Sequence, residues 1–316
     1  MIVLEKQEIE SLIDLNQMMD QIEEAYRIFG EGDYYMPPRQ AVEDANKTMM
    51  YMPCYTKEMI GTKILSIFPD NAKLGLPSID GVMLLNDYQT GKPLALLDGQ
   101  TVTAWRTGAV GGVGIRHLAA KDSHTVGIIG AGVQGFHQAL YACAARDIHT
   151  VYVYNHSSRD LTDYLGRLEK AIDKEGTKVV QCKTVEELAK KSDIICTTTP
   201  STTPVLPNDR ALLEGKCIIA IGSYTPDMRE IPDVIWDLVD KVYIEHPYAC
   251  EECGDLSQPL SEGRLTMDRV MLMHEYLASG ADEEAGAGKT TYFKSVGMGL
   301  FDVCIAQKIL EQAKER

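Results

Sequence analysis

Apolar positions along the 316-residue chain change their spacing twice, and each change marks a new kind of element. In "EIESLIDLNQMMDQIEEAYRIFG", residues 8–30, Ile9, Leu12, Ile13, Met19, Ile22, Tyr26 and Phe29 recur near helical spacing as far as Gly30. That predicts an amphipathic helix or helix pair. From 47 to 98 the chain turns to short runs, "TMMYMP", "IGTKILSIFP", "GVMLLND" and "KPLALLD", punctuated by Gly, Pro and Asn. These predict a mainly β module with antiparallel connections. "TVTAWRTGAVGGVGIRHLA" reads as a helix whose glycines permit close packing against another backbone.

At 125 the pattern becomes β-α-β. Apolar strands "TVGIIG", "TVYVYN", "KVVQC", "DIICTTTP", "CIIAIG" and "KVYIEH" are separated first by the helices "VQGFHQALYACAA", "DYLGRLEKAIDKEG" and "VEELAKKS". This alternation implies a parallel sheet covered on both faces. The final segment, "VGMGLFDVCIAQKILEQAKER", predicts a helix that returns to pack on the N-terminal module. Residues 246–290 carry no clear pattern.

A 45% hydrophobic content supports a real core, and the length suits about two domains. The formal net charge of -15 argues against a nucleic-acid partner, because phosphate backbones are held by clustered Lys and Arg. No apolar run approaches the roughly 20 residues that span a bilayer, so no membrane partner is expected. "MIVLEKQE" lacks the basic start and long apolar core of a signal peptide, so a cytoplasmic location is expected. Of eight cysteines, Cys143, Cys196, Cys217 and Cys304 sit in apolar surroundings, which suits a reducing compartment. Cys250 and Cys253 in "YACEECGDL" have C-x-x-C spacing but no second ligand pair, so they are read as ordinary loop cysteines and no metal is expected.

Candidate chemistry begins at "TVGIIGAGVQG". Gly130, Gly132 and Gly135 follow an apolar strand and open a helix, the context in which a pyrophosphate reaches a helix N-terminus. At the end of the second strand, "VYVYNHSSRD" offers Asn155, His156, Ser157, Ser158 and Arg159 before any carboxylate appears at Asp160. An acid there would hold a ribose 2'-hydroxyl and repel a 2'-phosphate; hydroxyls with a guanidinium favour NADP(H), with NAD(H) possible. Three cations stand in apolar or stiffened contexts: Arg39 after two prolines, Lys63 within a β run and Arg106 among small and aromatic residues. A cation so placed is costly unless it meets an anion, which suggests a carboxylate-bearing substrate. Arg39 and Arg106 are expected to clamp that carboxylate, with Lys63 as proton donor.

These residues resemble the ornithine cyclodeaminase/mu-crystallin family. "FPDNAKLGLPSIDGVMLLNDYQTGKPLALLDGQTVTAWRTGAVGGVGIRHLA" is similar to its substrate-domain signature, "VGIIGAGVQG" to its nucleotide motif and "FKSVGMGLFD" to its C-terminal motif. The resemblance implies an α/β fold: a Rossmann-type parallel-sheet domain over 119–291 with a discontinuous α+β substrate-binding and dimerisation domain over 1–118 and 292–316. It implies a homodimer acting on amino acids or their cyclic imines, with Arg39, Lys63 and Arg106 at substrate and catalytic positions. Expected cofactor contacts are Thr107, Gly130, Gly132, Val133, Gln134 and Gly135, then Asn155, His156, Ser157 and Arg159, with Thr198 and with Gly297 near the nicotinamide.

The stretch "GSYTPDMREI" departs from the cyclodeaminase pattern, in which an aspartate stands where this chain has Tyr224. A second cyclodeaminase acid corresponds to Met50. Losing both anions removes the groups that neutralise a diamino acid's second ammonium. Ketimine reductases of the mu-crystallin type also lack the aspartate at the Tyr224 position and keep the pattern seen here as Pro226, Asp227, Arg229 and Glu230. Tyr224 is expected to donate a hydrogen bond or to wall an apolar pocket; Asp227 is expected to cap the turn or to replace the missing acid. The expected function is an NAD(P)H-dependent reductase of a pyrroline- or piperideine-2-carboxylate. A cyclodeaminase, an amino-acid dehydrogenase and a catalytically silent NADP(H)-binding protein are the alternatives.

Overall fold

The computed structural model describes residues 1–172, 176–280 and 286–316. The chain divides into two compact units, Met1–Arg106 with Gly297–Arg316, and Thr107–Val296.

The first unit opens with β1 (Ile2–Leu4), α1 (Lys6–Leu12) and α2 (Leu15–Glu31). Asp14 caps α2 by accepting the Gln17 N–H at 2.9 Å, and Met18, Met19, Ile22, Ala25 and Tyr26 form its buried stripe. The helix runs through Gly30, where the sequence pattern placed its end, and stops at the left-handed Gly32. There follow β2 (Tyr34–Tyr35), β3 (Gln40–Asp44), β4 (Lys47–Thr56), β5 (Met59–Ile67), β6 (Ile79–Asp87), β7 (Pro93–Asp98) and α3 (Gly99–Leu118), within which the first unit gives way to the second. The sheet order is β1-β7-β6-β5-β4-β2, with β3 also paired to β4. All pairs are antiparallel except β1 with β7, an edge strand the opening "MIVLEKQE" did not announce.

The second unit holds β8 (Thr125–Ile129), α4 (Val133–Ala145), β9 (Thr150–Tyr154), α5 (Thr162–Ile172), β10 (Lys178–Gln181), α6 (Val185–Lys191) and β11 (Ile194–Thr197). It continues through α7 (Arg210–Leu213), β12 (Cys217–Ala220), β13 (Val242–Ile244), α8 (Ala249–Glu252), α9 (Gly254–Ser261), β14 (Val270–Leu272), α10 (Met273–Ala278) and β15 (Thr291–Lys294). All eight strands are parallel in the order β10-β9-β8-β11-β12-β15-β13-β14. Direction reverses at β8, so the crevice beyond the carboxyl ends of β8, β9 and β11 is the ligand position such sheets offer. Of the helix expected over 163–176, residues 173–175 lie outside the described residues, as do 281–285 of the segment 246–290.

Two boundaries differ from the expected 118 and 292. The first division falls inside α3, at Arg106, because one continuous helix belongs to both units. The second falls after Val296: β15, "TYFK", is buried on both faces between β12 and β13, so it has no polar alternation to mark it as a strand.

The chain returns to the first unit as α11 (Gly299–Glu315). Across β4 to β7, Met52, Lys63, Met83 and Leu97 are register partners and so share one face of the sheet. α11 lies on that face, close enough that a Cβ at Gly61 would stand 2.4 Å from Val303. Each buried Met or Leu there contributes roughly 1.5–3 kcal/mol. Lys63 is therefore set in an apolar layer that excludes water, and its charge must be answered by another side chain.

Candidate active site

In the second unit β8 ends at a turn through Gly130 (φ +102°), whose N–H bonds to the Tyr154 carbonyl at 3.0 Å. A side chain at Gly130 would strike Thr198, and one at Gly135 would stand 2.1 Å from the Gly130 carbonyl. These two glycines let strand and helix close up, while a Cβ at Gly132 would meet nothing, leaving the start of α4 open. No side chain caps that helix, Val133 is exposed, and Gln134 Oε1 is buried with no hydrogen-bond partner among the described residues. A helix N-terminus whose N–H groups meet no side-chain cap fits a pyrophosphate. Thr198 braces the loop from β11, its hydroxyl donating to the Ile129 and Gly130 carbonyls at 3.0 and 2.9 Å. Thr107 is buried, its carbonyl accepting from Gln138 of α4 at 2.9 Å.

The end of β9 closes the groove. Asn155 Oδ1 accepts the Ala131 N–H at 3.0 Å and its Nδ2 donates to the Ser157 hydroxyl at 2.6 Å. Arg159 donates to the Ala131 carbonyl, and His156 is exposed. The groove of about 630 Å³ is lined by Gly130, Gly132, Asn155, Arg159, Thr198 and Val205, a size typical of small-molecule sites.

In the first unit the structure brings together two of the three expected cations and adds an anion. Lys63 Nζ lies 2.9 Å from Asp302 Oδ1, and Arg106 Nε lies 3.2 Å from the same oxygen, an ion pair poorly aligned for a hydrogen bond. Side-chain exposure is 4% for Lys63, 11% for Arg106 and 1% for Asp302. Burial pulls the Lys63 ammonium below its usual range; Asp302 opposes this and Arg106 adds to it. Burial pushes the Asp302 carboxyl up, but Arg106 and Lys63 together outweigh it and hold the group below the usual carboxylate range. Gly297 (φ +83°) runs against this cluster: a Cβ there would stand 2.4 Å from an Arg106 guanidinium nitrogen.

Arg39 is exposed, immediately before β3. Met50 pairs with Leu65, two positions along the strand from the Met52–Lys63 pair, and so lies on the Lys63 face. Asp302 went unrecognised from sequence. An acid on an amphipathic helix ordinarily faces solvent, and the one available signal was its place in the quoted "FKSVGMGLFD".

The turn after β12 exposes Tyr224 (52%). Asp227 is also exposed and accepts the Thr225 hydroxyl at 2.6 Å, a turn-holding contact. Glu230 is buried and accepts from the Thr199 N–H and hydroxyl at 2.7 and 2.9 Å and from the Gly222 N–H at 2.8 Å. Asp255 in turn accepts the Glu230 and Ile231 N–H groups and lies 3.3 Å from Lys294 Nζ. All eight cysteines are free; Cys250 lies in α8 rather than in a loop, Cys253 is the one-residue link between α8 and α9, and burial raises both thiols. Among the described residues, one cluster has metal-type ligands in reach of one another: His124, Asp147 and His149 at the starts of β8 and β9, where the two rings stack 4.5 Å apart. No described helix is long and apolar enough to cross a membrane.

A doubly wound parallel sheet with a glycine-loop anion seat, in one chain with a buried cationic cluster, defines a nicotinamide-dinucleotide oxidoreductase of the α/β class. The chain belongs to the ornithine cyclodeaminase/mu-crystallin family, whose sequence model matches residues 1–316. It is 33% identical over 324 aligned positions to a Delta(1)-pyrroline-2-carboxylate reductase of Bacillus cereus, covering 100% of this chain and 98% of the relative. Among solved structures it is similar to the Thermococcus litoralis Delta(1)-pyrroline-2-carboxylate reductase in complex with NADH and L-proline (TM-score 0.89, 31% identity, 100% and 98% of the two chains). An archaeal alanine dehydrogenase dimer with bound NAD is also similar (TM-score 0.87, 28% identity, 99% and 96%).

Proposed function

We propose that the protein is an NAD(P)H-dependent reductase of a ketimine carboxylate of the pyrroline- or piperideine-2-carboxylate type. The observation that carries this reading is the buried cluster of Lys63, Arg106 and Asp302. Two cations share one anion there, so the site is one negative charge short, and a substrate carboxylate makes it up. Arg106 is assigned to that carboxylate, with the exposed Arg39 as a second arm. Lys63, or a water it orients, is assigned to the imine nitrogen as proton source. Bound NAD(P)H supplies the hydride to the imine carbon, so the C=N bond becomes CH–NH with one hydride and one proton taken up.

The relatives named as pyrroline-2-carboxylate reductases support this choice over a cyclodeaminase. So does the condition of the acids: Glu230 is buried and committed to backbone N–H groups, and Asp227 to the Thr225 hydroxyl, which leaves neither to replace the carboxylate lost at Tyr224. Met50 on the Lys63 face suits a ring with no second ammonium. Tyr224 is assigned no more than a pocket-edge role.

Both NADPH and NADH are proposed as cofactors, with NADPH favoured because Asn155, Ser157 and Arg159 precede any acid on that loop. A homodimer is proposed on the face of the first sheet opposite α11, where Tyr51, Pro53, Ile64, Leu84 and Leu96 are apolar and only half-buried. Eight free thiols support a cytoplasmic location, which cell fractionation would test. For the site itself, Lys63→Ala is expected to lower kcat by about 100-fold or more, within the range of a lost general acid, while the NADPH Kd from fluorescence titration changes less than about threefold. Unchanged turnover would remove Lys63 from the mechanism.

A further inference from the structure

We propose that Asp302 is the positioning residue of this site: its carboxylate, shared between Lys63 and Arg106, sets the charge state of the proton donor and the aim of the carboxylate-binding guanidinium. The inference rests on the reductase reading for what the site does, and on geometry alone for how Asp302 controls it.

Three observations converge. Asp302 is 1% exposed and one of its oxygens, Oδ1, meets both cations, at 2.9 Å from Lys63 Nζ and 3.2 Å from Arg106 Nε. It stands in the first turn of α11, where the unpaired N–H groups favour an anion. Gly297, five positions earlier in the same segment, lies against the outer guanidinium nitrogens while Asp302 meets Nε, so one short stretch of chain touches Arg106 at both places. Asp302 meets Arg106 at Nε, and the outer nitrogens face Gly297, whose lack of a side chain spares that edge a 2.4 Å clash and suits a bidentate carboxylate partner.

Asp302 on α11 and Arg106 on α3 are the charged groups that act on Lys63, and Cys54 on β4, paired with Gly61 two positions along the strand, is the titratable group beside Asp302. Met52 and Met83, its register partners on β4 and β6, carry no charge. The Cys54 thiol, pushed up to about 12 by burial and then by Asp302, stays neutral throughout the working range. Burial and Arg106 both disfavour the ammonium, so the opposing charge in the cluster is that of Asp302. Without it a buried lysine beside an arginine gives up its proton before the imine can take it. With it, the resting cluster carries a net charge of +1 and is neutralised when a neutral-imine monocarboxylate binds.

The experiment is a ¹⁵N NMR titration of the lysine Nζ groups in the full chain, with the Lys63 signal assigned by its loss in Lys63→Arg. The same pH series is run for kcat/KM with NADPH and pyrroline-2-carboxylate. In Asp302→Asn the Lys63 titration is expected to move down by about 1 to 3 pH units, and the alkaline limb of kcat/KM to move with it. KM is expected to rise more than tenfold as the guanidinium loses its brace. A Lys63 titration unmoved in Asp302→Asn would overturn the proposal, even if activity were lost, because that is how a merely structural residue behaves. Should Asp302→Asn fail to fold, Asp302→Glu decides: it keeps the charge and is expected to hold Lys63 near its parent titration, and a fall as large as a full unit would overturn the proposal. The NMR arm does not depend on the substrate, so a protein that failed to reduce pyrroline-2-carboxylate would end the reductase reading while Asp302 was still judged by its effect on Lys63.

Discussion

Lys63 and Arg106 meet at one carboxylate oxygen, and at the scale of single residues that meeting decides what the site can hold. A buried cation with no partner is too costly to keep, and two cations on one anion leave room for a second anion. This part of the site was legible in the sequence because a lysine inside "GTKIL" and an arginine inside "TAWRTGA" violate the apolar pattern around them. Asp302 violated nothing. It is 239 positions from Lys63 in the chain, and an aspartate in the first turn of a helix has an ordinary reason to be there. Arg39 was legible by the same reasoning as the other two, from its stiff proline approach, yet it stands exposed at the start of β3. Tyr224 was legible as a missing acid; the commitment of Glu230 and Asp227 to hydrogen bonds was not, since those partners come from the segments that follow β11 and β12 and from the turn itself.

At the scale of elements, the β-α-β run from 125 to 220 was read correctly in kind because its strands have apolar centres and alternate with helices. What lay between β13 and β15 was not, because α8, α9, β14 and α10 are each too short to show a period. That same region carries a pH-sensitive contact. After β13, His246 Nδ1 accepts the Tyr248 N–H at 3.1 Å, the two rings lie 3.8 Å apart, and burial lowers the imidazole to about 4. An unfolded histidine takes up its proton near pH 6.5, so between about 6.5 and 4 the unfolded chain binds more protons than the folded one. Stability therefore falls as pH drops through that window. Thermal melts from pH 7 to pH 4 are expected to show a declining Tm, with a shallower decline in His246→Asn. Identical slopes for the two proteins would place the acid sensitivity elsewhere.

At the scale of the whole molecule, two units in one chain divide the proposed labour: the parallel-sheet unit has the glycine-loop groove assigned to the dinucleotide and the other holds the cationic cluster. The half-buried apolar face opposite α11 gives a second expectation, that light scattering will return about twice the 35.0 kDa chain mass. A monomer at micromolar concentration would leave that face unexplained. The central claim is the chemistry, and one measurement reaches it directly: cofactor oxidation at 340 nm with pyrroline-2-carboxylate, NADPH and NADH in separate cuvettes, beside an ammonia assay on L-ornithine. The expected result is stoichiometric cofactor consumption, a higher kcat/KM with NADPH, and no ammonia. Ammonia release from ornithine with no net change in cofactor would contradict the account, because it requires an acid that the turn at Tyr224 does not provide.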